Sequence, residues 1–207
     1  NAEANIEDCG PTPGNPVYIN QSISEDQFSF GGNNATYKYL RNAFYNANTT
    51  YVRLIENFNQ TTYAQSSIIG EVKRDHTGLD CNGKLFNESG SGNTYYGVYV
   101  QTTLQNVSIA HCSISNFNIG VYLDAVTKGV FVHNNTFSSG AGSYGIYLTG
   151  NNNNLTNNTF YGNFGQNAIA IATGGSTNNA VWRNSFYGSD GISNAASTSN
   201  FCKDSLE

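Results

Sequence analysis

The densest run of chemistry-bearing side chains is Glu71-Val-Lys73-Arg74-Asp75-His76, followed four residues later by Asp80. A carboxylate, an imidazole and a cation this close in sequence would supply a general base, an acid and a charge clamp. The same composition also makes a solvated turn, and that is how we read it. Between Tyr95 and Asn200 the only acids are Asp124 and Asp190, far apart in the chain. No pair of carboxylates suited to glycosidic chemistry can be placed within reach. His111 and His133 fall in adjacent rather than equivalent positions of the repeat described below, so they do not converge on a metal. Nothing matches a zinc or EF-hand calcium pattern. No catalytic residue, metal or cofactor is assigned.

The other chemistry legible at this level is covalent modification. The acceptor pattern Asn-X-Ser/Thr occurs at Asn20, Asn34, Asn48, Asn59, Asn87, Asn106, Asn134, Asn154 and Asn157. With 32 Asn, 20 Ser and 18 Thr in the chain, composition alone predicts about 6 such sites. The excess is slight, so the composition weighs more than the count. Asn1 rather than Met stands first, and the four Cys form an even number. Both fit a processed, exported chain in an oxidising compartment.

The scaffold that must position these residues is read from composition and period. The 207 residues carry a net charge of −5 and only nine Lys and Arg, so no basic face for nucleic acid is available. No apolar run approaches the roughly 20 residues of a membrane-spanning helix. Low hydrophobicity often signals disorder, yet 14 Tyr and 12 Phe argue against it here. Tyr, Phe, Thr, Val and Ile suit strands, and Asn and Gly suit turns.

From about residue 95 the chain matches itself. The column Ile109, Val132, Leu155, Val181 advances by 23, 23 and 26 residues, as does the column Ile114, Phe137, Phe160, Phe186. A second strand keeps phase: Gly97-Val-Tyr-Val100, Gly120-Val-Tyr-Leu123, Gly145-Ile-Tyr-Leu148 and Ala168-Ile-Ala-Ile171, with a weaker copy from Gly191. Apolar residues alternate within each run, so each is a strand with one face inward. Strands repeating every 23 residues or so describe a coil whose turns stack in parallel at about 4.8 Å. The fold class is therefore all-β, a parallel β-helix of about 23 residues per rung with a mixed N-terminal cap, and its right hand comes from the resemblance given below. Cys112, Asn135, Asn158 and Asn184 share one column, read as an asparagine ladder with Cys112 at its first step. Tyr99, Tyr122 and Tyr147 form an outward column, either a sugar-binding stack or a cross-strand ladder that stabilises the sheet.

Gly78-Leu-Asp-Cys-Asn-Gly-Lys-Leu-Phe86, with Tyr96-Gly-Val-Tyr99 and Val107-Ser-Ile-Ala-His-Cys-Ser-Ile114, resembles right-handed parallel β-helix repeat proteins of the pectate-lyase-like superfamily. The likeness is strongest to secreted archaeal and bacterial surface members, and extends to periplasmic β-helix proteins of nitrous-oxide reductase maturation. It implies the fold over Leu79 to Phe201. It leaves function open among lyases, hydrolases, adhesins and structural proteins. The paired-Asp, Gly-His-Gly and Arg-Ile-Lys strings of polygalacturonase-like enzymes are absent.

Residues 1–65 are assigned as the N-terminal cap and 66–207 as the β-helix. Val17-Tyr-Ile19 and Phe28-Ser-Phe30 read as edge strands, and residues 34–46 as a short helix presenting Tyr37, Leu40 and Phe44. Thr50-Tyr-Val-Arg-Leu-Ile55 reads as a strand entering the first rungs. The segment Asn200-Phe-Cys-Lys-Asp-Ser-Leu-Glu207 shows no cap, so either the chain continues or another copy covers that end. Cys81 and Cys112 lie on consecutive rungs and suit a bridge. Cys9 and Cys202 would then be about five rungs, ~24 Å, apart, a pair that could close between subunits stacked head to tail, or within one subunit only if the N-terminal segment ran along the solenoid. The alternative pairs Cys9 with Cys81.

The functional expectation is a secreted, N-glycosylated structural protein of the cell surface. Its partners would be copies of itself, joined head to tail in an extracellular filament. The alternatives are a polysaccharide lyase or hydrolase using Lys73 to Asp80, and a glycan-binding adhesin using the Tyr face.

Overall fold

The computed structural model describes residues 16–19, 44, 51–60, 68–88, 96–138, 144–172, 176–188, 191–195 and 200–203. Strand β1 (Pro16–Ile19) leads, then β2 (Tyr51–Leu54), β3 (Phe58–Gln60) and β4 (Ile68–Val72). The next circuit is β5 (Gly78–Asp80), β6 (Leu85–Glu88) and β7 (Tyr96–Val100). It is followed by β8 (Ser108–Ala110), β9 (Ser113–Ser115) and β10 (Ile119–Leu123), and by β11 (Phe131–His133), β12 (Thr136–Ser138) and β13 (Tyr144–Leu148). Then come β14 (Asn154–Thr156), β15 (Thr159–Tyr161) and β16 (Asn167–Ile171), then β17 (Ala180–Trp182), β18 (Ser185–Tyr187) and β19 (Ile192–Asn194), and last β20 (Phe201–Lys203).

From β2 onward every third strand joins the same parallel sheet, and β1 is added beside β2. The first sheet runs β1-β2-β5-β8-β11-β14-β17-β20, the second β3-β6-β9-β12-β15-β18 and the third β4-β7-β10-β13-β16-β19. This is the expected parallel solenoid. It takes up the chain before residue 66, because Val52 and Leu54 alternate inward as the later strands do and Val52 pairs with Leu79 in register. Phe58 likewise pairs with Phe86. β1 is an edge strand of the first sheet, as expected. Of the expected helix at 34–46 only Phe44 is described, helical and buried in the core. The expected strand at 28–30 lies outside the described residues, as do Asn20, Asn34, Asn48 and Cys9. No helix among the described residues is long and apolar enough to cross a membrane.

The core is built from columns. Inward from the second sheet stand Phe58, Phe86, Ile114, Phe137, Phe160 and Phe186, each the register partner of the next. The rings of Phe137, Phe160 and Phe186 stack at 4.9 and 5.1 Å. Burying each large apolar side chain contributes roughly 1.5–3 kcal/mol. Gly120 and Gly145, which open two of the Gly-Val/Ile-Tyr runs, make room for this stack. A Cβ on Gly120 would lie 2.9 Å from Phe137 Cδ1 and 2.6 Å from the Gly145 carbonyl oxygen.

Two left-handed corners account for part of the Asn content. Between the first and second sheets, His111, Asn134, Asn157 and Arg183 turn the chain at φ of 52 to 54°. Between the third and first, His76, Asn106, Asn152 and Asn178 do so at 54 to 55°. Among non-glycine residues Asn enters this region most readily.

Candidate functional site

The structure divides the Glu71-to-Asp80 run among three places, because those ten residues leave the third sheet, round a corner and enter the first. Glu71, in β4, is buried and pairs with Lys73 Nζ at 3.4 Å. Asp75 accepts the Gln105 N–H at 2.7 Å in the corner, where His76 Nδ1 lies 3.4 Å from Asn106 Nδ2. Only Asp80 reaches the outer side of the first sheet. The run therefore does not assemble a base, an acid and a cation on one face, which agrees with its reading as a turn.

Asp80 instead joins partners from other circuits. Its carboxylate accepts Arg53 Nε at 3.1 Å and Nη2 at 2.7 Å, and the Asn82 N–H at 2.8 Å. His111 Nδ1 lies 3.2 Å away, and the Tyr51 hydroxyl also bonds to it. Burial pushes the Asp80 pKa up, but the hydrogen bonds from Arg53, Asn82 and Tyr51 and the Arg53 charge outweigh it, so the net shift is down. The Tyr51 phenol is displaced strongly upward, first by burial and then by the Asp80 charge. At neutral pH Asp80 is therefore a fixed, paired anion and a poor proton acceptor. Around it opens a groove of about 550 Å³ lined by Arg53, Asp80, Asn82, His111, Ser113 and Asn134, among others.

His111 and His133 meet edge to face, ring centroids 5.9 Å apart, as neighbours in adjacent columns. His133 Nε2 lies 3.2 Å from Ser108 Oγ, a spacing that suggests a base beside a nucleophile. The other ring nitrogen argues against it. Asn134 Nδ2 lies 3.2 Å from His133 Nδ1 and donates to it. The His133 proton then sits on Nε2 and is donated to Ser108, the reverse of general-base geometry. Among the described residues no three His, Cys, Asp or Glu side chains are grouped to hold a metal.

On the third sheet Tyr99, Tyr122 and Tyr147 are register partners, and Tyr96 and Tyr144 complete a five-ring face. Tyr122 meets Tyr96, Tyr99 and Tyr147 at 5.2 to 5.4 Å. Asp124 accepts hydroxyl bonds from Tyr99 and, at 3.5 Å, from Tyr122. Burial first, and then the Asp124 carboxylate, raise the pKa values of Tyr99 and Tyr122. The rings are packed against one another and tethered at their hydroxyls, which is the geometry of a cross-strand ladder.

Both polar staples along the axis are structural. Asn158 Oδ1 accepts the Asn135 N–H at 3.1 Å and Asn184 Oδ1 accepts the Asn158 N–H at 2.9 Å, in the column expected. A second ladder at the other corner escaped the sequence reading. Val130, Asn153 and Asn179 donate their N–H groups in turn to Oδ1 of Asn153, Asn179 and Asn200, at 2.9 to 3.0 Å. Asn153 and Asn179 each lie two residues before an apolar column residue, Leu155 and Val181. That spacing is the signal that could have revealed them. Cys81 and Cys112 form a disulfide.

Of the sequon residues, Asn106 and Asn157 are exposed, and Asn87, Asn134 and Asn154 are half-buried. Asn87 Oδ1 accepts from Ser115 and Asn116, and Asn154 Oδ1 from Trp182 Nε1. The side chains of Asn59 and Cys202 lie outside what is described.

The sequence matches the family described as the right handed beta helix region over residues 54–203. The chain belongs to this family. No curated protein and no solved structure matches it. The right-handed β-helix family match begins at Leu54, inside β2, in keeping with a coil that starts before residue 66.

Proposed function

We propose that this chain is a secreted, N-glycosylated structural protein of the cell surface that joins head to tail into an extracellular filament. The supporting observation is the register of the first sheet. Val17 in β1 and Cys202 in β20 stand at opposite edges of that sheet, linked by an unbroken line of register partners through Val52, Leu79, Ile109, Val132, Leu155 and Val181.

Seven strand steps of about 4.8 Å put ~34 Å between those edges. Cys9 precedes Pro16 by seven residues, a reach of at most ~25 Å when fully extended. A disulfide adds about 6 Å between Cα atoms. With Cys81 and Cys112 already bridged, Cys9 falls short of Cys202 in its own chain. A second copy whose β1 follows β20 would continue the sheet and carry its Cys9 segment to Cys202. All strands run parallel, so the edge at one end of each sheet complements the edge at the other. Such heterologous contacts build open filaments. Forming the bridge takes two electrons and two protons from the thiols to molecular oxygen, or exchange with a small disulfide.

Non-reducing electrophoresis and peptide mapping of the secreted protein test this. The expected result is a ladder of covalent multimers that collapses on reduction and yields a Cys9–Cys202 cross-linked peptide, with fibres visible by electron microscopy. Discrete monomers with a free Cys202 thiol would overturn it.

A further inference from the structure

The corner between the first and second sheets is a two-residue turn from β8 onward and longer in the two circuits before it. Between β8 and β9, β11 and β12, and β14 and β15 the turn is two residues: His111-Cys112, Asn134-Asn135 and Asn157-Asn158. Between β5 and β6 it is four, Cys81 to Lys84. The additional residues, Asn82 and Gly83, are exposed and left-handed at φ 51 and 71°. They form a ledge beside the shorter His111 corner, and the step between them is the groove at Asp80. Asn134 and Thr136, first and third residues of one sequon, line its far wall.

We propose that an N-linked glycan on Asn134 folds back into this groove and is held there by its first sugars. The inference rests on the glycoprotein reading above and identifies where one glycan lies. Attachment forms a bond from sugar C1 to Asn134 Nδ2 and breaks the C1–O bond of a lipid-linked oligosaccharide pyrophosphate, while Nδ2 loses one proton. The remaining Nδ2–H can keep its contact with His133 Nδ1 at 3.2 Å. The groove suits neutral sugar hydroxyls. The Asp80 carboxylate is already taken up by Arg53, Asn82, Tyr51 and His111 and its charge is balanced by Arg53, which leaves the Asn82 amide and the Ser113 and Thr136 hydroxyls lining the groove to meet sugar hydroxyls.

The placement also relieves a crowding problem. Asn134 and Asn157 occupy equivalent corner positions on adjacent strands, one strand step or about 4.8 Å apart. Two glycans leaving side by side would collide. The groove lies on the side of Asn134 that faces His111 and Arg53, away from Asn157, so the two chains diverge and both sites can be filled.

The test uses the full chain secreted from a eukaryotic host, where the linking sugar is N-acetylglucosamine. Native protein is treated with a peptide N-glycosidase, and release at each site is followed by glycopeptide mass spectrometry. Release at Asn134 should be at least about tenfold slower than at Asn106 or Asn157, equivalent to ~1.4 kcal/mol of holding. It should approach their rate in Asn82→Gly and Ser113→Ala, and after denaturation. Equal rates in the native protein, or an empty Asn134 beside filled sites elsewhere, would overturn the groove and leave the glycoprotein reading standing. No glycan at any sequon would overturn both.

Discussion

The sulfur of Cys112 is bonded to Cys81, while its backbone N–H donates to Oδ1 of Asn135 at 2.9 Å. One residue thus begins the asparagine ladder and staples two adjacent circuits. The four-residue turn before it explains why Asn is not required here. An Asn side chain at position 112 would look to the preceding circuit for a corner N–H, but the Lys84 N–H is already given to the Cys81 carbonyl at 2.8 Å. The column has no donor to receive at that step, and a covalent link takes its place.

Replacing both cysteines by serine should therefore lower stability at the N-terminal side of the coil. The bridge closes a sequence separation of 31 residues, for which chain entropy gives about 3–4 kcal/mol. Urea midpoints of the oxidised, reduced and double-serine proteins measure it. A shift below about 1 kcal/mol would mean that the ladder and the Phe column hold these circuits without the bridge.

The two asparagines of the corner between β14 and β15 should behave very differently. Asn158 is fully buried, accepts from Asn135 and donates Nδ2 to the Val132 carbonyl at 2.8 Å. Asn158→Ala strands several buried groups at about 1–3 kcal/mol each, so a loss of about 3 kcal/mol or more is expected. Asn157 is exposed and left-handed at φ 54°. Asn157→Ala should cost only about 1 kcal/mol, and Asn157→Gly close to none. Equal losses for Asn157→Ala and Asn158→Ala in chemical denaturation would refute the ladder as a stabilising device.

How far these features were legible follows from how regular each column is. Ile109, Val132, Leu155 and Val181 keep one residue class and nearly one period, so the coil could be read directly. The second ladder starts at Val130, and its steps of 26 and 21 residues from Asn153 to Asn200 break the period. The Arg53–Asp80 pair joins register partners in β2 and β5, 27 residues apart. It joins a residue assigned to the cap to one assigned to the coil, so periodicity from residue 95 onward held no trace of it. Asp124 was visible as a lone acid, but its place at the end of the tyrosine column depends on the turn after β10.

Gly120→Ala should be destabilising although alanine favours regular structure. The added Cβ would press on the Gly145 carbonyl oxygen at 2.6 Å and the Phe137 ring at 2.9 Å. Overpacking of this kind costs about 1–3 kcal/mol. At Gly191, where the nearest atom is Phe186 Cδ2 at 3.9 Å, alanine has room. That change should be neutral or stabilise by about 0.5 kcal/mol. Thermal melts of the pair decide the matter, and an unchanged Gly120→Ala protein would show that the Phe column yields.

Acid should remove the contribution of Asp80. Its folded pKa lies below the ordinary 3.8 because Arg53, Asn82 and Tyr51 outweigh the upward push of burial. A depressed carboxylate stabilises the fold above its unfolded value, and the benefit fades as pH falls through the folded value. The stability difference between the native sequence and Asp80→Asn should be constant from neutral pH to about 5 and shrink below about 4. A difference unchanged down to pH ~3 would place the stabilising role with the side chain's shape rather than its charge.

Alkali should act through the tyrosines, with the opposite sign. Burial, as the leading cause, raises the pKa values of Tyr51, Tyr99, Tyr122 and Tyr144 above the ordinary 10.0, and Asp80 or Asp124 adds to the first three. A folded pKa above the unfolded one means stability that is complete below pH ~10 and lost as pH rises toward the folded values. In the unfolded chain these phenols ionise first, so their ionisation draws the protein open. Tyrosinate absorbance should therefore rise partly in one steep step that coincides with loss of the β-sheet circular dichroism signal. Asp124→Asn should let Tyr99 and Tyr122 ionise at lower pH while the coil is still folded. A smooth titration centred near pH 10, with the dichroism unchanged, would show that the ring ladder is open to solvent and does not hold the third sheet together.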